Sequence, residues 1–174
     1  MAEEVPEVPP EVKHEMGISS LWALFVAMMA STIDSFAGVS MGVPWDKYFS
    51  GFNTVCKALA GQGTKTLLEN FNIPGNDCIT VAKVHHISSD SMGFKTEIIE
   101  MSPEKAIVHA KKCLVAELCS SMLPKYLDMP VEEMPCSAFD EGTGKAVNPK
   151  ITHRFGETFC KGGKICENIW ELKE

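Results

Sequence analysis

At the turn signal NIPGND, residues 72–77, the hydrophobic spacing of this chain changes, and that change limits the folds open to it. Before the turn, Leu21, Trp22, Phe25, Met28, Met29 and Ile33 recur at helical intervals until Gly38, Gly42 and Pro44 break the pattern. A second helix is predicted over Asp46–Leu59, ended by Gly61 and Gly63, with a short helical piece near Leu67 and Leu68. After the turn the chain shortens its period. Ile79–Ile87 is rich in β-branched residues, Phe94–Glu100 alternates apolar and polar, and Ala106–Lys112 reads as a third strand. A competing reading takes Ser102 and Pro103 as a helix start and runs one helix from Pro103 to Leu123.

Leu114, Val115, Leu118, Met122 and Tyr126 give the next helix. The stretch from Pro130 to Pro149 is read as polar and turn-rich, and Ile151–Phe159, KGGK and Ile165–Leu172 as an antiparallel hairpin. The expected class is α+β: N-terminal helices packed on a mostly antiparallel sheet of about five strands, in the order ααβββαββ. The expected organisation is a disordered, acidic, proline-rich tail over 1–16 and one domain over 17–174, with a helical part at 17–70 and a sheet part at 78–174.

A chain of 174 residues removes roughly 70% of its unfolded surface from water on folding, so crosslinks are optional. The seven cysteines are therefore the unusual count. Their number is odd, and the first fifteen residues carry five glutamates where a secretory leader would be basic, so a reducing cytoplasm is the expected location. A net charge of −7 and a pI near 5.3, without a lysine or arginine cluster, argue against nucleic acid as a partner. Gly17–Ile33 carries no charge, but it is shorter than the ~20 apolar residues a bilayer span needs. No membrane partner is expected, and the N-terminal helices are the expected surface for a homodimer.

The densest constellation of reactive side chains is Cys136, Glu157, Cys160 and Cys166. Thiolates with one carboxylate suit Zn²⁺, as a closed structural site or as an open one that activates water. The alternative is that Cys160 and Cys166 are half-buried strand residues or a disulfide pair, with Glu157 solvated. Cys113, just ahead of a predicted helix start, is the candidate nucleophile, because a helix N-terminus favours the thiolate. Glu117 in the first turn and Asp140 are the candidate proton carriers, and His85, His86 or His109 a neighbouring base. On a strand, His85 and His86 would face opposite sides. His153 and Arg154 are placed to hold a carboxylate ligand, and GQGTKT near residue 61 lacks the frame of a phosphate loop.

The segments CLVAEL, PCSAFDEGTGKAVNP and GETFCKGGKICENIWEL resemble the L-2-amino-thiazoline-4-carboxylic acid hydrolase-like family, with Cys113, Cys136, Asp140, Asn148, Pro149 and Cys166 at the matching positions. That resemblance implies hydrolytic opening of a small cyclic, carboxylated compound at a C–N or related bond, with Asn148 among the residues that hold it. The final hairpin is also similar to the 4-vinyl reductase domain, a small-molecule-binding α+β module. In some of its members zinc is held in an order that Cys136, Glu157, Cys160 and Cys166 reproduce. The expected function is thus a cytoplasmic, zinc-binding hydrolase of a small molecule, and its alternative a non-catalytic binding module or accessory protein.

Overall fold

The computed structural model describes residues 5, 7–17, 45–113, 116–117 and 130–173. Asp77, the last residue of the NIPGND turn, sets the conformation of the segment after it. Its backbone is extended, and its carboxylate accepts the Thr80 amide and hydroxyl protons, each at 3.0 Å, so it caps a helix over Cys78–Ser91. The β-branched run predicted to be a strand is therefore helical. Apolar surroundings on several sides override its propensity: Val81, Ala82, Val84 and Ile87 are all buried, with no alternation between two faces. The turn itself is as expected, with Asn72 and Gly75 at positive φ.

The elements are α1 (10–17), α2 (Trp45–Asn70), α3 (Cys78–Ser91), β1 (Thr96–Met101), β2 (Lys105–Ala110), α4 (Pro135–Val147), β3 (Ile151–Phe155) and β4 (Cys166–Leu172). The class is α+β, and the described strands form one four-stranded antiparallel sheet in the order β1-β2-β4-β3. The strand count falls one short of expectation because Ile79–Ile87 joins the helical layer. The turn through Ser102 and Pro103 leads into β2, not into a helix, with the Ser102 amide bonded to the Lys105 carbonyl at 2.8 Å. The expected helices over 18–44 and 118–126 lie outside the described residues.

Glycines that read as punctuation are points of close packing. Helix α2 runs through Gly61 and Gly63 to Asn70, so the two helical pieces predicted on either side of them are one. The supposedly turn-rich stretch contains α4, started by Pro135 at its first turn. A Cβ at Gly142 would lie 2.6 Å from the Lys57 carbonyl oxygen, and one at Gly144 would lie 3.0 Å from the Trp170 ring. Small residues there let α4 lie directly on α2 and on β4. The core behind it is built from Cys78, Val81, Ala106, Val108, Ile151 and Trp170.

Within the N-terminal segment, residues 10–17 form helix α1. Val8 is buried against Leu67, Ile73, Val84 and Ile87, with Val5, Val12 and Met16 packed beside it. Lys13 bridges to Asp90 of α3 at 2.7 Å. Val12 and Met16 stand four apart on one face of α1, a helix that the Glu-Pro composition obscured.

The glycine contacts give a paired test. Gly142→Ala must push α4 off α2 and should destabilise the protein by about 1–3 kcal/mol in urea titration. Gly63→Ala, exposed mid-helix with no atom within 4 Å of its new Cβ, should stabilise it by about 0.5–1 kcal/mol.

Candidate functional site: a buried histidine–aspartate network beside a thiol cluster

Helix α4 carries Cys136 and Asp140 one turn apart, on the side turned towards α3 and the sheet. Asp140 is only 7% exposed. One carboxylate oxygen lies 3.3 Å from His85 Nε2 of α3, and the other lies 4.0 Å from His153 Nε2 of β3. Ser89, one turn beyond His85, approaches the same Nε2 at 3.2 Å, and Asn168 Oδ1 lies 3.2 Å from His153 Nε2. Trp170 packs against both imidazoles, with ring centroids 4.7 Å from His85 and 5.0 Å from His153. Its indole N–H donates to the Asp140 backbone carbonyl at 3.1 Å.

These partners assign the tautomers. Each Nε2 faces acceptors and carries the proton, while Nδ1 of both rings is buried without a partner. Protonating Nδ1 would bury an N–H with nothing to receive it. Burial accordingly holds His153 below the usual histidine range, against the opposing pull of Asp140 and Asn168.

The thiols gather next to this network. Burial first, and then the charges of Asp140, Cys160 and Cys113, push Cys136 well above the ordinary thiol range. Cys166 is pushed up by a hydrogen bond to Cys113 and by burial. Its sulfur also accepts the Phe159 amide at 3.5 Å, and the Cys113 sulfur accepts the Ala116 amide at 3.3 Å. Cys56 and Cys78, raised by burial to about 11, are packing residues in separate places.

The remaining candidates are dispersed. Glu157 is exposed, and its carboxylate accepts the Lys164 amide in the turn before β4. Glu117 is exposed, 3.9 Å from Lys112. Arg154 faces outward to Glu171 at 3.5 Å. Asn148 ends α4 and ties it to the Asn76 carbonyl at 2.8 Å, a bond between elements. His109 pairs with Glu167 across the strands at 3.0 Å. His86 meets Thr96 at 2.7 Å; on a helix it points about 100° from His85, not 180°.

Among the described residues no group of three or more His, Cys, Asp or Glu side chains converges closely enough to hold a metal ion. The metal-binding and zinc designations are corrected on that ground: Glu157 turns away to its own loop, and the thiols meet without it. Two clefts, of about 390 and 220 Å³, lie elsewhere. The larger is beside the β3–β4 connection, and the smaller is between the N-terminal residues and α3.

Sequence reasoning singled out Asp140, His153 and His85 but not Ser89, Asn168 or Trp170. Two signals were available. Asn168 and Trp170 stand two apart on a strand, and Ser89 stands four after His85 once that segment is read as a helix.

No protein-family model matches the chain, and no curated protein matches it. Among solved structures it is similar to a trafficking protein particle complex subunit 3 from Naegleria fowleri, covalently bound to palmitic acid. The TM-score is 0.56 with 12% sequence identity, over 89% of this chain and 97% of that one. The likeness is one of fold. It overturns the hydrolase-like identification and the hydrolase function drawn from it: the neighbour that shares this architecture along nearly its whole length is a trafficking-complex subunit. The short C-terminal motifs are local features of α4 and the β3–β4 pair. No helix among the described residues is long and apolar enough to cross a membrane.

Two measurements bear on the network. His153 and the half-buried His86 are both held low by burial. Each takes up a proton more readily in the unfolded chain, so their contribution to stability is complete above about pH 6.5 and is lost as pH falls below it. The urea midpoint should be lower at about pH 5 than at about pH 7.5, and His153→Gln should flatten, without abolishing, that dependence. Asp140→Ala removes the acceptor facing His85 Nε2 and should cost about 1–3 kcal/mol in the same titration.

Proposed function

We propose that this protein is a non-catalytic, small-molecule-binding subunit of a protein assembly, and that its ligand is a long-chain acyl group. The observation that carries the reading is the fold shared over 89% of this chain and 97% of a trafficking-complex subunit that holds palmitic acid. Two features of the chain agree with it. The side chains of Asp140, His85, His153, Ser89 and Asn168 bond mainly to one another and line neither of the two clefts. Cys136 and Cys166 are held as neutral thiols, which are weak nucleophiles. Its partners in this reading are other proteins, among them a second copy docked through the N-terminal helices.

Binding of palmitate to the folded chain alone raises its stability by mass action, by about 2.7 kcal/mol at a hundredfold excess over Kd. For a chain of this size that is roughly 5–10 °C in Tm. Protein purified without detergent should carry a long-chain acyl group detectable by mass spectrometry after solvent extraction, and delipidated protein should gain that Tm shift with palmitate. A chain that carries no lipid and whose melting does not move with palmitate is not this kind of subunit.

A further inference from the structure

Three separate contacts hold residues 7–17 on α3 and the end of α2. Val8 enters the apolar cluster of Leu67, Ile73, Val84 and Ile87. Lys13 pairs with Asp90 at 2.7 Å, with side chains 40% and 38% exposed. A Cβ at Gly17 would lie 2.6 Å from the Ser91 carbonyl oxygen, so glycine is what lets the end of α1 approach the end of α3 this closely. The seat is nevertheless incompletely filled. A cleft of about 220 Å³ remains between the segment and α3, and its polar lining is Glu7 and Lys13 from the segment and His86 and Asp90 from the helix.

His86 and Asp90 stand four apart on α3 and so share one face of it. The His86 Nδ1 meets Thr96 Oγ1 at 2.7 Å, at the start of β1. Among the described residues, the ionisable groups around this imidazole are Glu7 and Lys13 of the N-terminal segment and His85 and Asp90 of α3, while β1 presents the uncharged Thr96. Burial holds His86 below the usual histidine range; Asp90 pulls the other way, and His85 and Lys13 add to the shift.

We infer that residues 7–17 are a strap released by acid: a proton on His86 puts a second cation beside Lys13 in the cleft, and the segment lifts from α3. While the strap is seated, Asp90 is already engaged by Lys13, and an imidazolium at His86 is half removed from water. Once the strap lifts, the same imidazolium is solvated, with Asp90 one helical turn away. The lifted state therefore binds the proton better. Seating is complete above about pH 6.5 and weakens as pH falls below it, by at most about tenfold per pH unit for one proton. Release uncovers the apolar surface of Leu67, Ile73, Val84 and Ile87 that Val8 covers. The strap is independent of the acyl-ligand reading.

Amide hydrogen exchange of the full-length protein, followed by mass spectrometry at about pH 7.5, 6.5 and 5.5 and corrected for the intrinsic effect of pH on exchange, tests this. Protection of peptides from residues 10–17 should fall by up to about tenfold between the two lower values, while peptides from β4 keep theirs. His86→Gln should hold the strap's protection constant within about twofold over the same range. In the unaltered chain the His86 ring resonances should titrate with the midpoint at which strap protection is lost, a comparison that needs no variant to fold. Strap protection that ignores pH, that falls equally in His86→Gln, or that is lost only together with β4 would overturn the inference, as would a His86 midpoint separate from that of release.

Discussion

Trp170 is the side chain through which the layers of this protein meet. It is fully buried on the central strand β4, opposite Ala106 on one side and His153 on the other. Its indole N–H satisfies the Asp140 carbonyl of α4, and its ring packs against both imidazoles that approach the Asp140 carboxylate. An indole of this size reaches α4 only because Gly144 offers no Cβ at the contact, and α4 in turn reaches α2 only because Gly142 offers none. The position of the buried polar network thus depends on two missing side chains and one large one.

That arrangement puts a carboxyl group and two imidazoles in a low-dielectric interior, where polar groups are tolerated only when paired. Each Nε2 has a nearby acceptor and neither Nδ1 has one, and burial holds His153 below the usual histidine range. The thiol group one turn along α4 is chemically different. Its sulfurs are partly exposed, those of Cys113 and Cys166 accept backbone amides, and burial pushes the Cys136 and Cys166 thiols above their ordinary range.

Much of this was legible in the residues, unevenly. The β3–β4 pair was readable because its apolar residues and its Gly-Gly turn act locally, and the alternation in β1 and β2 likewise survived in the structure. Asp140, His153 and His85 were singled out for their chemistry, and the fold brings them together. The strand predicted at Ile79–Ile87 failed because intrinsic propensity is weak beside a good cap and burial on several sides. Helix α4 was hidden because Gly142 and Gly144 look like breakers until their neighbours are known. Glu157 seemed to belong with the cysteines because sequence spacing says nothing of which way a loop side chain turns.

By itself the sequence determined the α+β class, the antiparallel hairpin, a helix over Asp46–Leu59 and the residue types able to do chemistry. These depend on short-range periodicity and turn geometry, which act within a few residues. Only the tertiary structure decided that one carboxylate lies between two histidines and that residues 8–13 pack on α3. Those contacts join positions tens of residues apart, and they are set by close packing between layers, which no local pattern encodes.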